Sequence, residues 1–97
     1  MSALLFNART TDGNSDPYEI PARKVGASRI FTVHVFGTFN GATVTLEVSY
    51  DGSTYIAIPS ASWTSASVQN LDIRTRYIRA VIASAGGSTS LSVWLAG

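Results

Sequence analysis

Apolar and polar residues alternate along much of the chain, and a period of two marks β-strands with one face in a core. Val44, Leu46, Val48 and Tyr50 alternate with Thr43, Thr45, Glu47 and Ser49, which predicts a strand that buries its apolar side. Leu91, Val93 and Leu95 alternate with Ser90, Ser92 and Trp94 in the same manner, so Trp94 is predicted opposite the core. Ile30 to Phe36 is apolar at almost every position, as expected of a central strand covered on both sides. Tyr77 to Ala83 reads similarly, with Ile78, Ala80 and Ile82 on one face and Tyr77, Arg79, Val81 and Ala83 on the other.

Turn residues punctuate these runs. Asn40-Gly41 and Asp51-Gly52 tolerate the positive φ angles of a type I′ turn, and they predict hairpins on either side of the Thr43 strand. Gly86-Gly87 predicts the return into the last strand. Pro59, which lacks an amide donor, is expected to end the strand begun near Thr54. Pro59 to Ala66 then reads as a polar crossover loop containing Trp63, and Val68 to Ile73 as a further short strand. Leu4–Ala8 reads as an edge strand, Thr10 to Asp16 as a loop, and Tyr18–Ile20 as at most a short edge strand. No window of eleven or more residues carries helical apolar spacing with a cap. The expected fold is therefore all-β, an antiparallel two-sheet sandwich or jelly roll of seven to eight strands at roughly ten-residue spacing. It forms one domain overall, with residues 1–25 supplying an edge strand and arm and residues 26–97 the sandwich.

Composition narrows the range of functions. The 97 residues carry seven Lys+Arg, six Asp+Glu and one His, a net charge of +1, with 45% apolar residues and no cysteine. That balance suits a Ser/Thr-rich sandwich rather than a coiled coil, a disordered tail or a nucleic-acid binder. Disulfides and thiolate metal sites are excluded. No stretch reaches the roughly 20 apolar residues of a membrane-spanning helix, and the N-terminus has no basic, signal-like start. Synthesis in the cytoplasm, without a membrane partner, is the expectation.

The search for chemistry finds little. His34 stands alone between Val33 and Val35, which rules out a multi-histidine metal site and favours a structural or interface role over a general base. No Gly-x-Ser-x-Gly elbow or pair of carboxylates emerges, so no catalytic residue, metal or cofactor is expected. Asp12, Asp16 and Glu19 form the densest acidic group. They lack the later bidentate Glu of an EF-hand, and read as a solvated loop or, less favourably, a weak cation site. Arg74, Arg76 and Arg79 surround Tyr77, a grouping that favours salt bridges and contacts between subunits over phosphate or base binding. Trp94, beside polar neighbours, is expected to be covered by a second layer or a partner chain. Trp63 is a second anchor candidate, and Trp63, Tyr55 and Trp94 together form the alternative of a carbohydrate platform. The candidate interface thus comprises Trp94, Trp63, Tyr77, Arg76, Arg79 and Tyr55.

Two stretches, Phe36 to Ile58 and Arg76 to Leu95, resemble small bacteriophage virion proteins. In those, a strand of the type Gly-Ala-Thr-Val-Thr-Leu (here Gly41–Leu46) leads through a Ser-x-Asp-Gly turn (here Ser49–Gly52) into an aromatic strand. The later stretch is similar to their closing hairpin. The resemblance covers roughly half the chain and implies a head decoration, or cement, protein located in the virion. Its partners would be the major capsid protein and further copies of itself, as a dimer or trimer. The competing expectation is a tail- or neck-associated sandwich, with glycan-binding adsorption as its activity. An enzyme ranks a distant third, because the family supplies a scaffold and no shared active site.

Overall fold

A computed structural model describes residues 2–20 and 30–96, and every regular element among them is a strand. In chain order these are β1 (Ser2–Arg9), β2 (Gly13–Asn14), β3 (Tyr18–Glu19), β4 (Ile30–Thr38), β5 (Thr43–Ser49), β6 (Ile56–Trp63), β7 (Ser67–Asp72), β8 (Tyr77–Ala83) and β9 (Ser90–Ala96). Two antiparallel sheets face each other. The first has the order β1-β9-β4-β7; the second runs β2-β8-β5-β6, with β3 also on β8. The fold is the all-β sandwich that the alternation predicts, with nine strands because Gly13–Asn14, read as loop, pairs with Ile82 and Val81.

The core follows directly from that alternation. Phe31, Val33 and Val35 of β4 and Leu91, Val93 and Leu95 of β9 point inward. They meet Val44 and Leu46 of β5 and Ile78, Ala80 and Ile82 of β8, all in one buried cluster. Close packing of this kind supplies most of the stability of a small domain. The period breaks at the end of β5: Ser49 is buried and Tyr50, predicted inside, is 67% exposed. The cause is local. Ser49 Oγ accepts from the amides of Asp51 and Gly52 and donates to Asp51 Oδ1, which pulls the serine under the loop and turns Tyr50 out.

Strand pairing departs from the predicted hairpins. Asn40 and Gly41 do take positive φ angles of 47° and 86°, and the Ala42 amide bonds Phe39 O at 2.9 Å, as a type I′ turn requires. However, β4 belongs to the first sheet and β5 to the second, so this turn carries the chain between sheets. The same holds for the Gly86-Gly87 connection, where β8 and β9 lie in opposite sheets. Among the described residues only β5 and β6 form a hairpin, and their connection is six residues long, Tyr50 to Tyr55, rather than a two-residue turn. Gly86 is needed for a close approach: a Cβ there would meet the backbone and side chain of Asn40.

Pro59 does not end its strand. β6 continues to Trp63 because it is the edge strand of its sheet, where a missing amide is tolerated. A bulge takes up the irregularity: Glu47 faces Ala57 but Thr45 faces Ser62, and Ser60 has a φ of 68°. The predicted crossover loop thus shrinks to Thr64–Ala66. At the other end of the chain, residues 2–20 are paired along both sheets, β1 on β9 and β2 and β3 on β8. Between β2 and β3, the Ser15 amide donates to Ala80 O while Ser15 Oγ accepts from the Ala80 amide, both at 2.8 Å. A serine side chain therefore completes the ladder where the two short strands leave a gap. The rest of the predicted arm, residues 21–25, lies outside the described residues.

Candidate functional site

β4 is central in its sheet, yet it is covered on one face only. Its outward residues, Thr32, His34 and Phe36, join those of β1, β9 and β7 on an open surface. The register aligns four of them in one row. Leu4 faces Trp94 across β1 and β9, Trp94 faces His34 across β9 and β4, and His34 faces Val68 across β4 and β7. The row crosses every strand of the sheet. Leu4 is 44% exposed, Trp94 43% and Val68 64%, and Ile30 at the corner is 57% exposed.

Trp94, His34 and Phe36, with Thr32 and Ala96, outline a shallow recess of about 420 Å³. The His34 and Phe36 rings meet at 4.9 Å between centroids, tilted by 50°. Thr32 Oγ1 donates to Asn70 Oδ1 at 2.8 Å, which ties the two side chains together across β4 and β7. His34 has Trp94 and Val68 as its cross-strand neighbours, and no carboxylate stands opposite it to orient it as a base. Aromatic, aliphatic and uncharged residues in an open row are the composition found at the centre of protein interfaces.

The other predicted residues are distributed differently. Trp63 is not a loop anchor. It is 7% exposed at the end of β6, packed in the core, and its Nε1 donates to Gln69 Oε1 at 3.1 Å. That bond lets a buried indole keep its N–H satisfied. Arg76, Tyr77, Arg79 and Tyr55 gather on the outer face of the second sheet, away from Trp94. Arg79 reaches Glu47 at 2.7 Å and lies 3.8 Å over the Tyr55 ring, while Arg76 reaches Glu19 at 2.8 Å. Arg74 pairs with Asp72 at 3.0 Å. Arg74, Arg76 and Arg79 are thus each held by a carboxylate of the same chain. The bond to Glu19, and its charge, raise the Arg76 pKa above its ordinary value, and the bond to Asp72 does the same for Arg74.

The acidic group of the sequence is dispersed as well. Glu19 is engaged by Arg76, and Asp12 Oδ1 accepts from the Ala85 amide at 2.7 Å. Among the described residues no three metal-ligating side chains come together. One carboxylate is strongly perturbed for a structural reason. Asp51 Oδ1 accepts from the Thr54 and Ser53 amides and from Ser49 Oγ, which lowers its pKa from 3.8 to about 2. It closes the β5–β6 loop beside an open apolar groove of about 470 Å³ bounded by Val48, Tyr50, Ile56 and Thr75.

Sequence reasoning placed Trp94 correctly but passed over Leu4, Val68 and Ile30. Each sits singly in its own strand; the register brings Leu4 and Val68 level with Trp94, and Ile30 lies at the corner of the same face. No helix among the described residues is long and apolar enough to cross a membrane. No family model, curated protein or solved structure matches this chain.

Proposed function

We propose that this domain is a non-enzymatic assembly component that docks through the outer face of β1-β9-β4-β7. The observation that carries the reading is the uncovered row Leu4–Trp94–His34–Val68, in register across all four strands. Trp is the residue type most enriched among interface hot spots, and the surrounding Thr, Ser and Ala residues allow close approach. The resemblance of Phe36–Ile58 and Arg76–Leu95 to small phage virion proteins makes the finer reading a head decoration protein, with the major capsid protein as the surface it covers. Many weakly bound copies would then add their affinities through avidity.

The glycan reading draws on the same Trp94 but needs hydrogen-bonding groups aimed at a sugar. Thr32 and Asn70, the polar pair beside it, share one hydrogen bond with each other, and the row itself is Leu, Trp, His and Val. That favours a protein partner. The test uses shells of the major capsid protein that this reading names as the partner, prepared without this chain. Saturating protein should raise their rupture temperature, and Trp94→Ser should abolish the rise. Shells whose rupture temperature is unchanged by the wild-type protein would remove the decoration reading, and saturable binding to host polysaccharide would install the alternative.

A further inference from the structure

The sandwich has four free sheet edges among the described residues, and three are blunted. β1 has register shifts between Leu4 and Phe6 and between Phe6 and Arg9, with Ala8 at a φ of 51°. β6 has Pro59, its bulge and the positive φ of Ser60. β2 and β3 are two residues each. Bulges, prolines and very short strands are the devices by which sheets avoid pairing with another chain.

β7 has none of them. It pairs with β4 over six consecutive positions, from Ile30↔Asp72 to Val35↔Ser67, without a shift. It contains no proline, glycine, lysine or arginine, and no positive φ. Its outer edge is paired with no strand among the described residues. A straight, regular edge of this length is a template for a further strand.

We infer that β7 pairs antiparallel with β7 of a second copy, joining two first sheets into one eight-stranded sheet. This rests on the reading of the domain as an assembly component and names the contact between its copies. The occupant follows from symmetry and charge. A two-fold axis demands antiparallel pairing, and one centred on Gln69 sets Ser67 opposite Leu71 and Val68 opposite Asn70. All five opposed positions are uncharged. Asp72, already held by Arg74, falls beyond the ladder. The axis keeps both outer faces on one side, with the two Leu4–Trp94–His34–Val68 rows offset by two residues along the strands. One dimer then presents a doubled docking face.

The experiment is sedimentation equilibrium over a concentration series, with Asn70→Lys as the perturbation. The two-fold places the two substituted positions diagonally across the axis, about 7–8 Å apart, within reach of each other's long side chains, so the like charges repel. The wild type should give twice the chain mass at high concentration, and the variant a dissociation constant at least about tenfold larger. A wild type that stays monomeric throughout, or a dimer unaffected by Asn70→Lys, overturns the inference. Should the variant fail to fold, hydrogen exchange on the wild type decides: β7 amides must exchange more slowly as concentration rises, and rates independent of concentration refute the pairing. Trp94→Ser separates the two readings, since it should lose shell docking while keeping the dimer. Shell docking by a strict monomer defeats the edge pairing alone; a β7 dimer that leaves shells unchanged defeats the decoration reading alone.

Discussion

Replacing Ser15 by alanine removes one oxygen and should unsettle the join between the N-terminal strands and the second sheet. Ser15 is 7% exposed, and its Oγ accepts from the amide of Ala80, a residue with no exposed surface. Without that oxygen, the Ala80 amide remains under β2 and β3 with no acceptor. An unsatisfied buried donor costs about 1–3 kcal/mol. The lower part of that range applies, because β2 and β3 lie at a sheet edge and a small opening admits water. A loss of about 1–2 kcal/mol in a domain of this length lowers Tm by roughly 4–16 °C. Urea unfolding should show the same loss as a shift in midpoint at constant slope. Ser62→Ala is the control, since Ser62 Oγ bonds only the exposed Thr45 hydroxyl and its loss should cost less than about 0.5 kcal/mol. If the two variants melt together, the serine does not complete the ladder and the reasoning fails.

Asp51 gives a pH signature. Its folded pKa is depressed from 3.8 to about 2, so its contribution is fully present above pH 3.8 and is lost as pH falls through about 2. Asp51→Asn should flatten the loss of stability across that window, and parallel acid-unfolding curves for the two proteins would contradict it. Arg79→Lys keeps the charge beside Glu47 but loses the planar contact with Tyr55, and should cost about 1 kcal/mol. Equilibrium unfolding measures the cost; an unchanged midpoint would release Arg79 from its structural role and return it to the list of interface candidates.

How far the sequence was legible depended on the range of the interaction being read. The period of two located the long strands and their inward residues, because burial of one face is a property of each strand alone. Pairing was not legible in the same way. Asn40-Gly41 specifies a tight turn equally well whether the next strand lies beside the last one or across the core from it. The choice is made by β8 and β9, which take the neighbouring places on β5 and β4. Pro59 misled for a related reason: the rule that proline ends a strand holds only where a neighbour needs its amide, and β6 lacks a neighbour on one side. The Ser49–Asp51 bonds act within three residues, and their signal, a Ser-x-Asp-Gly turn, was visible, but not its effect on which face Tyr50 takes.

The two tryptophans show why the site itself was only half visible. Trp94 sits in an alternating strand whose inward set is unambiguous, so its outward direction follows from its neighbours in sequence. Trp63 has polar neighbours on both sides, and that composition looks like loop in any local window. Trp63 is packed in the core, and Gln69, from a strand of the opposite sheet, accepts its indole N–H. A polar partner six residues on, in the next strand but the other sheet, gives no periodic signal at either residue. The open row has the same character in reverse. Leu4, His34 and Val68 are each unremarkable alone, since single exposed apolar residues are common on soluble domains. They become a surface only because three separate registers bring them level with Trp94. A function that resides in register is therefore hidden until the strands are paired, and the residues to alter first are those that the pairing, not the local sequence, brings together.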